Sequence, residues 1–169
     1  MVVPVSADPD VGGSADGEVG EMLVRGATSA DGYWNQREKS RATFEGGWTR
    51  SGDKYVRDAD GYYTYQGRTD DMFKVSGIWV SPFEVESALA SHASVLEAAV
   101  VPREDADGLV KPRAFVVLKP GQSAPGPDEL KEHVKAKAGP WKYPRWIEFV
   151  DGLPKTATGK IQRFKLRDA

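Results

Sequence analysis

The sequence predicts an α+β fold: a small domain with a central β-sheet flanked by helices, preceded by a β-rich segment. Three observations carry that prediction. Up to about Gly67, short apolar runs are punctuated by Asp-Gly and Gly-Gly turns. Ser81-Pro82-Phe83-Glu84 then reads as a helix start. Beyond it, Val95 to Val101 and Arg113 to Leu118 are strand-length runs rich in β-branched residues. The change of pattern after Arg68 puts a boundary at the acidic pair Asp70-Asp71, giving a β-rich part over 1–69 and an α+β part over 70–169.

Along the first part, Met1 to Ser14 reads as a short strand running into a turn with no helix or partner strand before it, as expected of a cut made inside a larger protein. Glu18 to Gly26 alternates enough for a strand, with Asp16-Gly17 as the turn ahead of it. Gly32 to Phe44 holds a tyrosine, a tryptophan and several charges, which suits a surface helix or an ordered loop. Gly46-Gly47 leads into Trp48 to Asp53, and Asp60-Gly61 separates Tyr55-Val56 from Tyr62 to Gln66, a β-hairpin pattern.

In the second part, Ser81 at the cap, Pro82 at the first helical position and Glu84 three residues after the serine form a capping box. Phe83, Val85, Ala88 and Leu89 supply the apolar stripe of that helix, and His92 lies near its end. Charged Arg103 to Asp107 make the turn between the two buried strands. A second helix runs from Asp128 to about Lys137 behind the breaker-rich Pro120 to Pro127, and Trp146 to Val150 is a further strand. Asp151 to about Gly159 is a loop, and Ile161 to Leu166 opens a terminal helix. No internal repeat is visible.

The 169 residues suit one ordinary domain or two small ones. Hydrophobic residues make up 40% and charged residues 28%, with a net charge of −2, so the chain lacks the basic field that nucleic acid demands. The absence of cysteine excludes disulfide scaffolds and thiolate metal sites and makes the cytoplasm the default compartment. The longest apolar runs, Ala98 to Val101 and Ala114 to Leu118, are far shorter than the roughly 20 residues of a membrane helix.

Three constellations could carry chemistry. In Leu153-Pro154-Lys155-Thr156-Ala157-Thr158-Gly159-Lys160, a proline and a glycine bracket small and hydroxylated residues, so the loop can bend and deliver the Lys160 ammonium. A cation so delivered would offset charge developing at a carboxylate and a phosphate, although an isolated Gly-Lys pair is more often a solvated loop. It is not a phosphate-cradling P-loop, because Pro154 stands where that motif needs glycine and Ile161 where it needs a hydroxyl. In Ser51-Gly52-Asp53 with Gly67-Arg68-Thr69-Asp70-Asp71, Asp53 could accept ribose hydroxyls and Arg68 bind hydroxyl or phosphate oxygens. Equally, Asp53 could cap a turn and Arg68 pair with Asp70 or Asp71. Phe73 to Val80 reads as a strand with Gly77 inside it, where a ligand approaches the backbone or, more simply, a bulge sits. His92 and His133 have no partner at ligand spacing and read as helix-surface residues, so no metal site is predicted. Trp141, Tyr143 and Trp146, interleaved with Lys142 and Arg145, read as packing of the small domain.

The order and spacing of these signals add more than any one of them. RSGDKYVRDADGYYTYQGRTDDMFKVSGIWVSPFEVE, followed by KYPRWIEFVDGLPKTATGKIQR, resembles the adenylate-forming superfamily of acyl-CoA synthetases, luciferases and peptide-synthetase adenylation domains. The resemblance runs through nearly the whole chain from Gly17. Together with GYWNQREKSRATFEGGWTRSGDKY, it is most similar in wording to benzoate-CoA ligases and other aryl-CoA ligases.

The resemblance implies two half-reactions: a carboxylate attacks ATP to give an acyl adenylate and pyrophosphate, then the thiol of CoA displaces AMP. It implies that Asp53 binds the ribose hydroxyls and Arg68 the same nucleotide, that Asp70 is the hinge of a rotating C-terminal lid, and that Lys160 supports adenylation. By the same resemblance Lys74 assists thioester formation and Gly77 lines the pantetheine tunnel. The family's phosphate loop and its aromatic-Gly-x-Thr-Glu motif are not among these residues. Its own N-terminal domain, which would bring the acid pocket and Mg2+, is therefore an expected partner, beside ATP, CoA and an aryl or acyl carboxylate. The piece alone is expected not to turn over. Residues 1–69 would be the end of the large domain, and 70–169 the lid. Lys160 on an exposed, flexible loop is also an expected target for a lysine acetyltransferase, since acetylation would remove the needed charge. Two rival readings are an adenylation domain that loads a carrier-protein thiol and a non-enzymatic α+β binding module.

Overall fold

The computed structural model describes residues 2–3 and 15–167, so the turn expected within Met1 to Ser14 lies outside the described residues. The chain forms two compact units, Met1–Asp71 and Met72–Ala169.

The first unit is one five-stranded sheet. Strands β1 (Val2–Val3), β2 (Val19–Val24), β3 (Phe44–Glu45), β4 (Trp48–Arg57) and β5 (Tyr63–Arg68) accompany helix α1 (Arg37–Thr43), which buries no residue. The long β4 is the spine. It pairs antiparallel with β2 along one edge, and along the other with β3 at its start and β5 at its end. The region read as surface helix or ordered loop is α1 and the turns before it. After β5, residues Thr69–Asp71 make one turn of 3-10 helix.

The second unit is the α+β part. Strands β6 (Phe73–Val75) and β7 (Ile78–Val80) form a small hairpin that runs into α2 (Pro82–Ala90). Strands β8 (Val95–Glu104), β9 (Val110–Leu118) and β10 (Trp146–Phe149) make a sheet of order β10-β9-β8, antiparallel between β8 and β9 and parallel between β9 and β10. Helix α3 (Pro127–Ala138) supplies the crossover that a parallel pair requires, and α4 (Arg163–Arg167) ends the described chain. Because side chains alternate across a strand, the sheet has two apolar faces. One packs Ala98, Val100, Ala114 and Val116 against Val85 and Leu89 of α2 and Leu130 and Val134 of α3. The other packs Ala99, Val101, Phe115 and Val117 against Leu153 and Leu166, with Ile161 at the margin. Each fully buried valine or leucine contributes about 1.5–3 kcal/mol, so the second face holds the final segment against the sheet.

Some local expectations are corrected. Phe73 to Val80 is not one bulged strand: Ser76 (φ 49°) and Gly77 (φ 86°) are the two positive-φ residues of a tight turn. The capping box does not form, since Ser81 at the α2 N-cap makes no side-chain cap bond. Glu84 instead takes Lys142 Nζ on both carboxylate oxygens, at 2.8 and 2.7 Å. Phe83, placed in the apolar stripe, is exposed. Tyr143 does pack on the core, under the Arg145 and Lys135 cations at 3.7 and 4.4 Å from its ring, whereas Trp141 is 63% exposed.

The histidines are not helix-surface residues without partners. The His92 side chain is 14% exposed, and its Nε2 lies 3.2 Å from Glu129 Oε1. His133 Nε2 lies 2.8 Å from Ser91 Oγ, and the two rings meet edge to face at 5.2 Å. Folding α3 against the end of α2 supplies contacts that spacing along the chain could not reveal. Among the described residues, no group of three or more histidines and carboxylates could hold a metal ion. No helix among them is long and apolar enough to cross a membrane.

Candidate functional site

In the first unit, Asp53 on β4 and Arg68 on β5 are direct cross-strand partners. Arg68 Nη1 lies 3.4 Å from Asp53 Oδ1, and its Nη2 lies 3.8 Å from Asp70 Oδ2. All three side chains keep solvent access, at 47% for Arg68, 30% for Asp53 and 85% for Asp70. Of the two sequence alternatives for Arg68, the structure shows the ion pair with Asp70, and it adds a pair with Asp53 that the sequence did not suggest. Exposed pairs of this kind add little to stability. The arrangement is better suited to a shared polar surface of two acceptors and one planar donor.

The turn that carries Asp53 is built with care. Gly52 has φ +72°, a conformation that favours glycine, and a Cβ there would stand 3.1 Å from Arg68 Nη2, so the guanidinium would have to shift. Ser51 Oγ accepts from Asp53 N–H at 3.1 Å and donates to Met22 C=O at 2.7 Å. Beneath lies Glu21, 7% exposed, which accepts Gly52 N–H at 3.2 Å and Arg50 Nη1 at 3.1 Å. Arg50 also donates to Glu45, and that hydrogen bond is the largest cause of its raised pKa, against the lowering effect of burial. The neighbouring Lys54 is pushed the other way, burial lowering its pKa more than the Glu21 charge raises it.

In the second unit, Lys74 sits on β6 and Gly77 in the turn of the same hairpin, with Lys74 Nζ 4.9 Å from the centre of its cross-strand partner Trp79. Lys160 stands on a different element, a strap pinned at both stems. Lys155 and Ile161 form a β-bridge, Thr156 N–H donates to Lys160 C=O at 2.8 Å, and Gln162 N–H donates to Pro154 C=O at 2.8 Å. The Thr156 hydroxyl accepts Lys160 N–H at 3.1 Å, and Gly159 closes the turn at φ +82°. Lys160 is exposed, and its ammonium has no ion-pair partner among the described residues. Its exposure is as expected, but the strap is cross-braced where a flexible loop was anticipated.

Sequence reasoning missed the carboxylates that hold these elements. Lys155 Nζ pairs with Glu97 at 2.7 Å, and Arg163 binds Glu86 through Nη2 at 2.7 Å and Nε at 3.1 Å. Glu86 also accepts Val100 N–H at 2.8 Å. The available signal was a glutamate inside the apolar stripe of a helix and another inside a strand, positions where a charge is tolerated only when paired.

Residues 84–160 match the model of the AMP-binding enzyme C-terminal domain. The resemblance is to the benzoate-CoA ligases. The chain is 68% identical over 157 residues to the 4-hydroxybenzoate–CoA/benzoate–CoA ligase of Rhodopseudomonas palustris, covering 91% of this chain and 29% of that protein. Of solved structures, a benzoate CoA ligase from Burkholderia xenovorans LB400 is 58% identical with a TM-score of 0.82, covering 95% of this chain and 32% of that one. The anthranilate CoA ligase AuaEII, solved in complex with anthranoyl-AMP, is 51% identical with a TM-score of 0.87, covering 99% and 33%. The chain thus spans 29% of the length of the curated relatives it matches first, and the matched part is their C-terminal part.

Proposed function

We propose that the complete protein is an AMP-forming ligase that joins an aromatic carboxylate, benzoate or a close relative, to coenzyme A. A carboxylate oxygen attacks the α-phosphorus of ATP and pyrophosphate leaves, giving an acyl adenylate. The CoA thiolate then attacks the acyl carbonyl, and AMP leaves with the electron pair. The observation that carries this reading is the joint presence of the Asp53-Arg68-Asp70 cluster and of Lys160, without an ion-pair partner among the described residues, in a chain 68% identical to a benzoate-activating ligase.

In this reading the two Asp53 oxygens accept the ribose hydroxyls, and Arg68 donates to the same nucleotide. Lys160 offsets the negative charge that gathers between carboxylate and α-phosphate, as a preorganised cation does in phosphoryl transfer. Asp70, 85% exposed in a single 3-10 turn, is the hinge of the lid. Lys74 and the Gly77 backbone serve the thioester step. Magnesium, the acid pocket and the pyrophosphate contacts belong to a preceding large domain, of which 1–69 is the last part and 70–169 the lid. The cysteine-free composition is compatible with cytoplasmic work.

The test separates the half-reactions in the complete protein. Lys160→Ala lowers acyl-adenylate formation, measured by pyrophosphate exchange with benzoate, by about a hundredfold to a thousandfold. Thioester formation from supplied benzoyl adenylate is retained. Equal loss of both would contradict the division of roles.

A further inference from the structure

We propose that Glu86 and Arg163 are positioning residues for Lys160: their ion pair sets the register of the strap that presents the lysine. The inference rests on the adenylation role given to Lys160 above. Glu86 lies on α2 and is 8% exposed, so its charge is held away from water. Its carboxylate is committed three times: to Arg163 Nη2 at 2.7 Å, to Arg163 Nε at 3.1 Å and to Val100 N–H on β8 at 2.8 Å. Helix α2, strand β8 and the first residue of α4, directly after the strap, are therefore joined at one carboxylate, and Arg163 stands three residues after Lys160.

A buried ion pair is weak evidence for stability, because its desolvation cancels much of its attraction. What a two-pronged guanidinium-carboxylate pair does supply is geometry, since the planar fork admits one approach. Here the apolar stems of the strap are already held, by Leu153 and Leu166 in the sheet's second apolar face. Apolar contacts are non-directional and would tolerate sliding of the strap along that face. Between them, the fork and the Lys155 to Glu97 pair at 2.7 Å fix the register of its two ends. Because α2 follows directly from the hairpin that carries Lys74, the same pair mounts the strap on the frame of that hairpin.

The experiment compares Glu86→Gln, Arg163→Lys and Lys160→Ala in the complete protein. Each is assayed for pyrophosphate exchange, for thioester formation from supplied benzoyl adenylate, and for amide hydrogen exchange at Thr156 and Lys160. Misplacement by about 1 Å can cost about a hundredfold in rate, so Glu86→Gln is expected to lose about that much adenylation, with the KM for ATP and the thioester step unchanged. The strap amides exchange faster while those of β9 do not. Arg163→Lys, which keeps the charge but not the fork, falls between Glu86→Gln and the parent. Full adenylation in both variants, or equal losses in both half-reactions, overturns the positioning role. Should Glu86→Gln not fold, Arg163→Lys decides alone. If Lys160→Ala itself adenylates normally, the reading of Lys160 fails rather than that of its mounting.

Discussion

Replacing Gly52 by alanine tests the nucleotide cluster through its geometry. The residue sits at φ +72°, where an L-side chain costs about 1–2 kcal/mol. Alanine also narrows the unfolded ensemble, returning about 0.4–1 kcal/mol, so the net loss of stability is about 1 kcal/mol. A second effect is specific to this position, because the new Cβ stands 3.1 Å from Arg68 Nη2, inside comfortable contact. Arg68 is half exposed and can swing away at little cost, but doing so breaks its 3.4 Å approach to Asp53. That pair is worth about 0–1 kcal/mol to the fold, so stability barely registers the movement. Binding does: a hydrogen bond to a charged group contributes about 1.5–3 kcal/mol, and solvent exposure argues for the lower end, about tenfold in affinity. Gly61→Ala is the control, with φ +87° and nothing within 4 Å of its new Cβ. Denaturant titration should show similar losses of about 1 kcal/mol for both variants, while only Gly52→Ala raises the KM for ATP about tenfold in the complete protein. Equal KM values for the two would remove Arg68 from the nucleotide site.

Other outcomes follow from the same structure. A 3-10 turn has a typical φ near the value that proline imposes, so Asp70→Pro should cost little stability and the chain should melt near the parent temperature. On the hinge reading, the complete variant loses one half-reaction, and an unchanged overall rate would discard that role. Glu148 is held below the usual carboxylate range chiefly by its hydrogen bond from Arg113, against the opposing effect of burial. Since its folded pKa is depressed, its stabilising share is present above the ordinary value of about 4.3 and is lost as pH falls through the folded value. Glu148→Gln should therefore flatten the acid limb of a stability-pH curve, and an unaltered limb would count against the pair. Acetylation of Lys160 removes its charge without disturbing the strap's backbone bonds, so stoichiometrically acetylated protein should resemble Lys160→Ala in pyrophosphate exchange. Full exchange activity would exclude this as a switch.

Strands and turns were legible because their causes are local. Alternating apolar residues mark β2, and Asp60-Gly61 marks the turn between β4 and β5. Proline at the start of α2 and of α3 is equally local. One local regularity still escaped notice. Asp-Ala-Asp-Gly occurs twice, at 58–61 and 105–108, and closes both long hairpins in the same way. In each, the first aspartate's Oδ1 accepts two backbone N–H groups, from Asp60 and Tyr62 at 3.0 and 2.8 Å, and from Asp107 and Leu109 at 3.0 and 2.9 Å. Its own N–H donates to the carbonyl four residues on, at 3.0 Å in both. Two identical tetrapeptides in different units reach the same solution because aspartate supplies the acceptor and glycine the positive φ.

The residues that fix the candidate site were not legible, and the reason is distance along the chain. Glu21 meets Arg50 across 29 positions, and Glu86 meets Arg163 across 77. No propensity or period links such positions, since the pairing exists only once β2 lies against β4 or the strap against α2. Composition can still point to them. A glutamate flanked by Val85 and Ala88 on a buried helix face would cost several kcal/mol if left unpaired, so such a sequence contains a cation destined for it. Glu21, buried with Gly20 and Leu23 in β2, likewise needs a cation. Lys160 is the converse case, a cation without a carboxylate partner among the described residues, while Lys155 and Arg163 on either side are paired. In a strap where the neighbouring charges are neutralised, the one left over is free to meet an anion that arrives from outside the unit.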